Sequence, residues 1–177
     1  MTGFRALNED PIYDGWAIKV AKGRFEAPDG SVFERDIVHH PGAVAIVPII
    51  GDDVIMVRQY RPALDDHLIE IPAGLRDIEG EPPIETAQRE LIEEVGFTAG
   101  SLELLMSVHN SVGFCDEQIH IFVGRELSAT QREMTDSPEE HEMQILRIRL
   151  EEAEQMILRG EITDAKTVIG ILAALRR

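Results

Sequence analysis

Eight consecutive residues, Ala43 to Ile50 in the run AVAIVPII, carry no charged side chain. A run of that kind, with no polar alternation, reads as a strand buried on both faces. DVIMVRQYR follows across Gly51-Asp52-Asp53, so the two predict a hairpin at which the core sheet begins. Upstream, WAIKVAKGRFEA and SVFERDIVHH flank the turn Pro28-Asp29-Gly30 and predict another hairpin, an N-terminal β-arm over residues 1–42 ahead of a domain over residues 43–177. HLIEIPAG reads as a strand entering a glycine turn, and SLELLMSVH and EQIHIFVGREL as further strands. MTDSPEEHEMQ, rich in acids and turn formers, reads as a loop before the strand ILRIRL. Two helices close the chain: EEAEQMILRG, ended by Gly160, and DAKTVIGILAALRR, capped by Thr163 or Asp164.

The segment PPIETAQRELIEEVG has prolines at its first turn and Gly96 just past its end, which predicts a helix over Pro83 to Val95. At 3.6 residues per turn, Ile84, Ala87, Leu91 and Val95 form an apolar stripe, while Glu90, Glu93 and Glu94 stand at i, i+3 and i+4 on a neighbouring face. Like charges so spaced destabilise a helix by about 0.2 to 0.5 kcal/mol per pair, and Arg89 gives the local relief. A bound cation would remove the conflict, and hard oxygen ligands select Mg2+ or Mn2+ over zinc or copper. The same glutamates also fit a solvated acidic face.

With 177 residues, 44% hydrophobic and 28% charged, the chain can bury one sizeable core. It contains no apolar run of roughly eighteen residues, and MTGFRALNEDPIYDGW has no basic segment leading into an apolar one. Neither a membrane span nor a signal peptide is expected, and the cytoplasm is the expected compartment. Cys115, the single cysteine, makes no intrachain disulfide and reads as a packing residue. Histidines 39, 40, 67, 109, 120 and 141 have no ligand spacing and no catalytic role is expected of them. The formal charge of -16 argues against a nucleic-acid polymer, but a small phosphorylated substrate can be drawn in through bound cations.

Gly74, Glu81, Arg89, Glu90, Leu91, Glu93, Glu94, Gly96 and Phe97 resemble the Nudix box, whose pattern reads G-x5-E-x7-R-E-U-x-E-E-x-G-U with U apolar. The match is complete from Glu81 to Phe97, whereas Leu75 to Gly80 put six residues between Gly74 and Glu81 where the pattern has five. VRQYRPALDDHLIEIPAG, SVGFCDEQIHIF and DAKT extend the likeness from Val57 to Leu175, toward the ADP-ribose pyrophosphatase and nucleotide-sugar branch. Val112 departs from it, since relatives that cleave ADP-ribose often carry proline there.

The resemblance implies an α+β Nudix fold, an α/β/α sandwich with a mixed sheet between helices and an antiparallel arm. It implies metal-dependent hydrolysis of the diphosphate linkage of ADP-ribose and related nucleoside diphosphate sugars, giving a nucleoside monophosphate and a sugar phosphate. The alternatives are a hydrolase preferring GDP-mannose or another nucleotide sugar, and a catalytically silent nucleotide-binding module. Residue by residue, Glu90 and Glu94 become the principal metal ligands, Glu93 an additional or water-mediated one, and the carbonyl of Ala73 a backbone ligand. Arg89 would orient the carboxylates, with Glu81 orienting the box. Glu140 is the expected general base, with Glu139 and Glu142 as rivals. Arg58, Gln59 and Arg61 are expected at the substrate, with Glu70, Arg76, Phe114 and Glu117 as further contacts. Relatives whose arm packs across two subunits imply a homodimer.

Overall fold

The computed structural model describes residues 3–133 and 138–177, the side chains of Glu139 and Glu140 excepted. In chain order the elements are β1 (Arg5–Asp14), β2 (Lys19–Glu26), β3 (Val32–His39), β4 (Ala43–Ile50), β5 (Asp53–Arg61), β6 (Asp66–Glu70) and β7 (Ala73–Leu75). There follow α1 (Pro83–Val95), β8 (Phe97–His109), β9 (Gln118–Ala129), α2 (Pro138–His141), β10 (Gln144–Arg149), α3 (Leu150–Leu158) and α4 (Ala165–Ala174). They divide into one unit of residues 1–42 and 109–118, and a larger one of 43–108 and 119–177.

In the larger unit the strand order is β10-β5-β4-β9-β8, with β6 added to β5 and β7 to β4. The sheet is mixed: β4 runs parallel to β9, with Val44 opposite His120, and antiparallel to β5 and β7. Seven residues of β4 are buried, as its uninterrupted apolar run requires. Strand alternation sends Val44 and Ile46 of β4 and Ile55 and Val57 of β5 to one face, where they meet Ala87, Leu91 and Val95 of α1. Val47, Val54, Met56 and Ile121 point the other way, onto Ala153 of α3 and Ile171 and Ala174 of α4. Helices thus cover both faces of the sheet, the expected sandwich.

Helix α1 starts after Pro82 and ends at Gly96, whose left-handed φ of 69° lets its N–H reach the Ile92 carbonyl. Its buried face is turned from the expected stripe. Ile84 is 46% exposed, whereas Thr86 is buried with its hydroxyl bonded to Glu81 and to the Pro82 carbonyl. That turn carries Glu90 and Glu94 inward beside Leu91. At α4, Asp164 is the cap, its carboxylate accepting from the Thr167 N–H at 2.9 Å.

The smaller unit is an antiparallel sheet, β1-β2-β3. The β2–β3 hairpin turns at Gly30, φ 83°, as the Pro-Asp-Gly signal predicts. The partner strand β1 carries no such signal: all ten of its residues are exposed, and the register shifts after Ala6 and after Pro11. Pairing with β2 makes it a strand. Residues 109–118 join this unit because Val38 donates to the Phe114 carbonyl at 2.7 Å and accepts from the Asp116 N–H at 3.1 Å. The segment expected as a loop contains the short helical turn α2. Among the described residues no helix is long and apolar enough to cross a membrane.

Candidate functional site

Helix α1 and the β6–β7 stretch build the site together. Glu94 is 7% exposed, and its Oε2 accepts from the Ala73 N–H at 3.0 Å. Burial pushes its pKa up to about 8, against the pull of that N–H and of the Lys166 and Arg61 charges. Glu90 is buried as well and is pushed up to about 7, again chiefly by burial, with Arg89 opposing and Glu93 adding to the rise. Gly74 lies against it: a Cβ there would come within 2.0 Å of the Glu90 carboxyl carbon. The longer loop from Leu75 to Gly80 therefore leaves Gly74 where it clears space for Glu90.

Arg89 gathers the rest of this cluster. Its Nη1 donates to Glu90 at 2.7 Å and to Glu93 at 3.0 Å, and its Nη2 reaches Glu81 and the Leu75 carbonyl at 3.4 Å each. Glu81 is held below the usual carboxylate range, first by the Thr86 hydroxyl and also by Arg89. Among the described residues no three acidic, histidine or cysteine side chains gather as a metal-ligating group. Glu90 and Glu93 meet through the guanidinium of Arg89. The donor chemistry nonetheless fits a hard divalent cation, because two buried carboxylates are short of compensating charge and a cation would stabilise both as anions.

At the end of β5, Arg61 donates through Nε and Nη2 to the two oxygens of Glu70, at 2.7 and 2.6 Å. Glu70 is 1% exposed and also accepts from Lys166 Nζ at 2.5 Å, which in turn lies 3.0 Å from Asp164. Gln59, two residues before Arg61, is buried with its Nε2 lacking a hydrogen-bond partner. Arg58 is half-buried and alternates to the opposite side of β5. The Nε of Arg76 is buried without a partner, and His120, lowered mainly by burial and secondarily by Arg76, sits 2.7 Å from the Ser107 hydroxyl. Sequence reasoning missed Lys166 as a partner of Glu70 and Asp164 as a partner of Lys166; their one signal was DAKT.

The remaining candidates lie elsewhere. Phe114 and Glu117 belong to the smaller unit. Phe114 is 57% exposed and lines a cavity of about 480 Å3 with Phe25, Phe33, Arg35, Val112 and Cys115. Glu117 accepts from the Asn110 amide at 3.0 Å. His39, given no role from sequence, bridges Asp116 at 2.6 Å and Glu9 at 2.8 Å, and those two carboxylates, Asp116 foremost, raise its pKa. The side chains of Glu139 and Glu140 lie outside the described residues, and Glu142 is exposed.

Residues 39–168 match the NUDIX domain, a span that contains the whole acidic cluster. The chain belongs to the Nudix family. Nudix hydrolases generally depend on a divalent metal. A protein called methanol dehydrogenase activator, from Bacillus methanolicus, is 38% identical over 168 residues, covering 94% of this chain and 90% of its own length. The ADP-ribose pyrophosphatase of Bacillus subtilis (strain 168) is 36% identical over 168 residues, with 94% and 90% covered. The crystal structure of an ADP compounds hydrolase aligns with a TM-score of 0.86 at 24% identity, covering 99% of this chain and 94% of that one. That last likeness shows the Nudix fold, the mixed sheet between α1 and the pair α3 and α4.

Proposed function

We propose that this Nudix protein is a pyrophosphohydrolase acting on the diphosphate linkage of ADP-ribose and related nucleoside diphosphate sugars, releasing a nucleoside monophosphate and a sugar phosphate. The observation that carries the reading is the pair of buried, charge-deficient carboxylates, Glu90 and Glu94, inside a box complete from Glu81 to Phe97. Similarity to an ADP-ribose pyrophosphatase over nearly the whole chain supports the substrate class.

Glu90 and Glu94, with Glu93 and the Ala73 carbonyl, would hold Mg2+ or Mn2+. Such an ion, when bound, neutralises phosphoryl charge and lowers the pKa of water. Arg89 restrains Glu90 and Glu93, limiting their repulsion. Arg61 binds a diphosphate oxygen with the donor that Glu70 leaves unused, Gln59 and Arg76, each with a buried nitrogen lacking a partner, add further contacts, and Glu70 acts by holding Arg61. Glu140 takes the proton from the attacking water as its oxygen bonds to phosphorus, and the bridging P–O bond breaks to release the second phosphate. Residues 1–42 serve as a dimerisation arm in a cytoplasmic homodimer, which light scattering tests: a monomeric full-length protein rules it out.

Purified protein with Mg2+ or Mn2+, incubated with ADP-ribose, GDP-mannose, UDP-glucose and nucleoside triphosphates, should yield AMP and ribose phosphate from the first. Formation of no nucleoside monophosphate from ADP-ribose or either nucleotide sugar would sink the hydrolase reading. Binding without turnover would instead match a regulatory module, the kind of role that the name of the Bacillus methanolicus relative suggests for that protein.

A further inference from the structure

The chain Arg61–Glu70–Lys166–Asp164 is buried at its centre and open at one end. Glu70 is 1% exposed and the Lys166 side chain 10%, whereas the Arg61 side chain is 40% exposed. Nε and Nη2 of Arg61 are both taken by Glu70, and its Nη1 has no hydrogen-bond partner among the described residues. Gln59 precedes it by two residues on the same side of β5, with its own Nε2 unpaired. Two unused donors thus share one side of a strand end, and the Glu94 carboxylate is close enough to help hold Arg61 protonated.

Stability alone is a poor reason to keep such an assembly, since buried ionic triads are often matched or bettered by apolar side chains of similar volume. What the assembly does supply is direction. Glu70 grips the guanidinium through two parallel bonds, and that grip is only as fixed as Glu70 itself. Lys166 fixes Glu70 from the first turn of α4, and Asp164, the α4 cap, lies 3.0 Å from the ammonium. One residue on, the Thr167 hydroxyl accepts from the Ile71 N–H at 2.9 Å, so the start of α4 grips two successive residues of the stretch leading to Ala73 and Gly74.

We infer that Lys166 is a positioning residue: from the N-terminus of α4 it locks Glu70, so that Glu70 presents the unused edge of Arg61 to a phosphate oxygen of the bound diphosphate. This rests on the hydrolase reading above for the identity of the ligand. Lys166 itself contacts no substrate, and its effect passes through Arg61.

The test is a double-mutant cycle on ADP-ribose hydrolysis with Mg2+, joined to an NMR measurement that needs no substrate. Lys166→Met should raise KM about tenfold with kcat within about threefold, and adding it to Arg61→Ala should change that variant by less than about twofold. In the 15N spectrum, the Arg61 Nε–H resonance should be sharp and slowly exchanging in the wild type and broadened in Lys166→Met. A wild-type KM in Lys166→Met, or effects of Lys166→Met and Arg61→Ala that multiply independently, overturns the inference. Should Lys166→Met fail to fold, Lys166→Gln, which keeps a donor for Glu70 without the charge, enters the same cycle with the same criteria. A wild type that cleaves no nucleoside diphosphate sugar removes the hydrolase reading instead. The NMR comparison then decides the positioning role, and an Arg61 Nε–H unaffected by the change at Lys166 overturns it.

Discussion

Glu70 and Glu94 are both glutamates withdrawn from water, yet they are treated in opposite ways. Burial is the largest single influence on each. At Glu70 it is outweighed by the Arg61 hydrogen bonds and the Lys166 charge, which hold the carboxyl below its usual range. At Glu94 the direct partner is one backbone N–H, and the carboxyl is pushed up to about 8, as Glu90 is to about 7. Where fixed cations surround a buried carboxylate its charge is settled; where they do not, a mobile cation can settle it. Depth of burial does not separate the acid whose charge is compensated, Glu70, from the acid whose charge is not, Glu94. The count of permanent positive partners does.

The comparison is broken most directly by deleting each acid. Glu70→Ala leaves Arg61 and Lys166 without their shared anion and should cost about 3 to 5 kcal/mol in urea denaturation. Glu90→Ala, measured in chelator, should cost clearly less, because a carboxylate disfavoured by its surroundings is being removed. Equal costs would abolish the distinction. On activity the order reverses: Glu94→Gln should lower kcat about a hundredfold, or about 2.7 kcal/mol, with an unchanged circular dichroism spectrum. Weakened Mn2+ binding should accompany that loss, and near-normal turnover at saturating metal would remove Glu94 from the metal site.

Gly74→Ala probes the same acids from the strand side. Its Cβ would collide with the carboxyl end of the Glu90 side chain and not with backbone, so thermal denaturation should move by less than about 1 kcal/mol while kcat/KM falls about tenfold. A large loss of stability with normal kinetics would show that the collision is relieved by the backbone. The smallest effect is in pH. Because the pKa of Glu70 is lowered on folding, its contribution is present above its unfolded value near 4.5 and is lost as pH falls through the lower folded value. The stability gap between wild type and Glu70→Gln should therefore be constant near neutrality and narrow in the acid range. A gap that widened on acidification would reverse the assignment.

Much of the site helix was legible in advance. Prolines before Ile84 and a glycine after Val95 mark the ends of α1 through rules that act within one turn, and the unbroken apolar run of β4 announces a strand with no wet face. The spacing of Glu90, Glu93 and Glu94 likewise needs nothing beyond helical geometry. Other features had no local signature. β1 has neither alternation nor buried residues and is a strand only because the edge of β2 pairs with it. Thr86 takes the buried place expected for Ile84 because Glu81 and the Pro82 carbonyl satisfy its hydroxyl.

The sequence by itself determined where α1 begins and ends, that β4 is a strand buried on both faces, and which acids share a helix face, since these follow from backbone hydrogen bonding and periodicity over a few residues. Tertiary structure alone decided that Lys166 would meet Glu70, 96 positions away, and that Glu94 would have a single backbone N–H in direct contact. Compensation of buried charge depends on which distant groups the packing brings within a few ångströms, and the short-range rules that mark helices and strands carry no record of it.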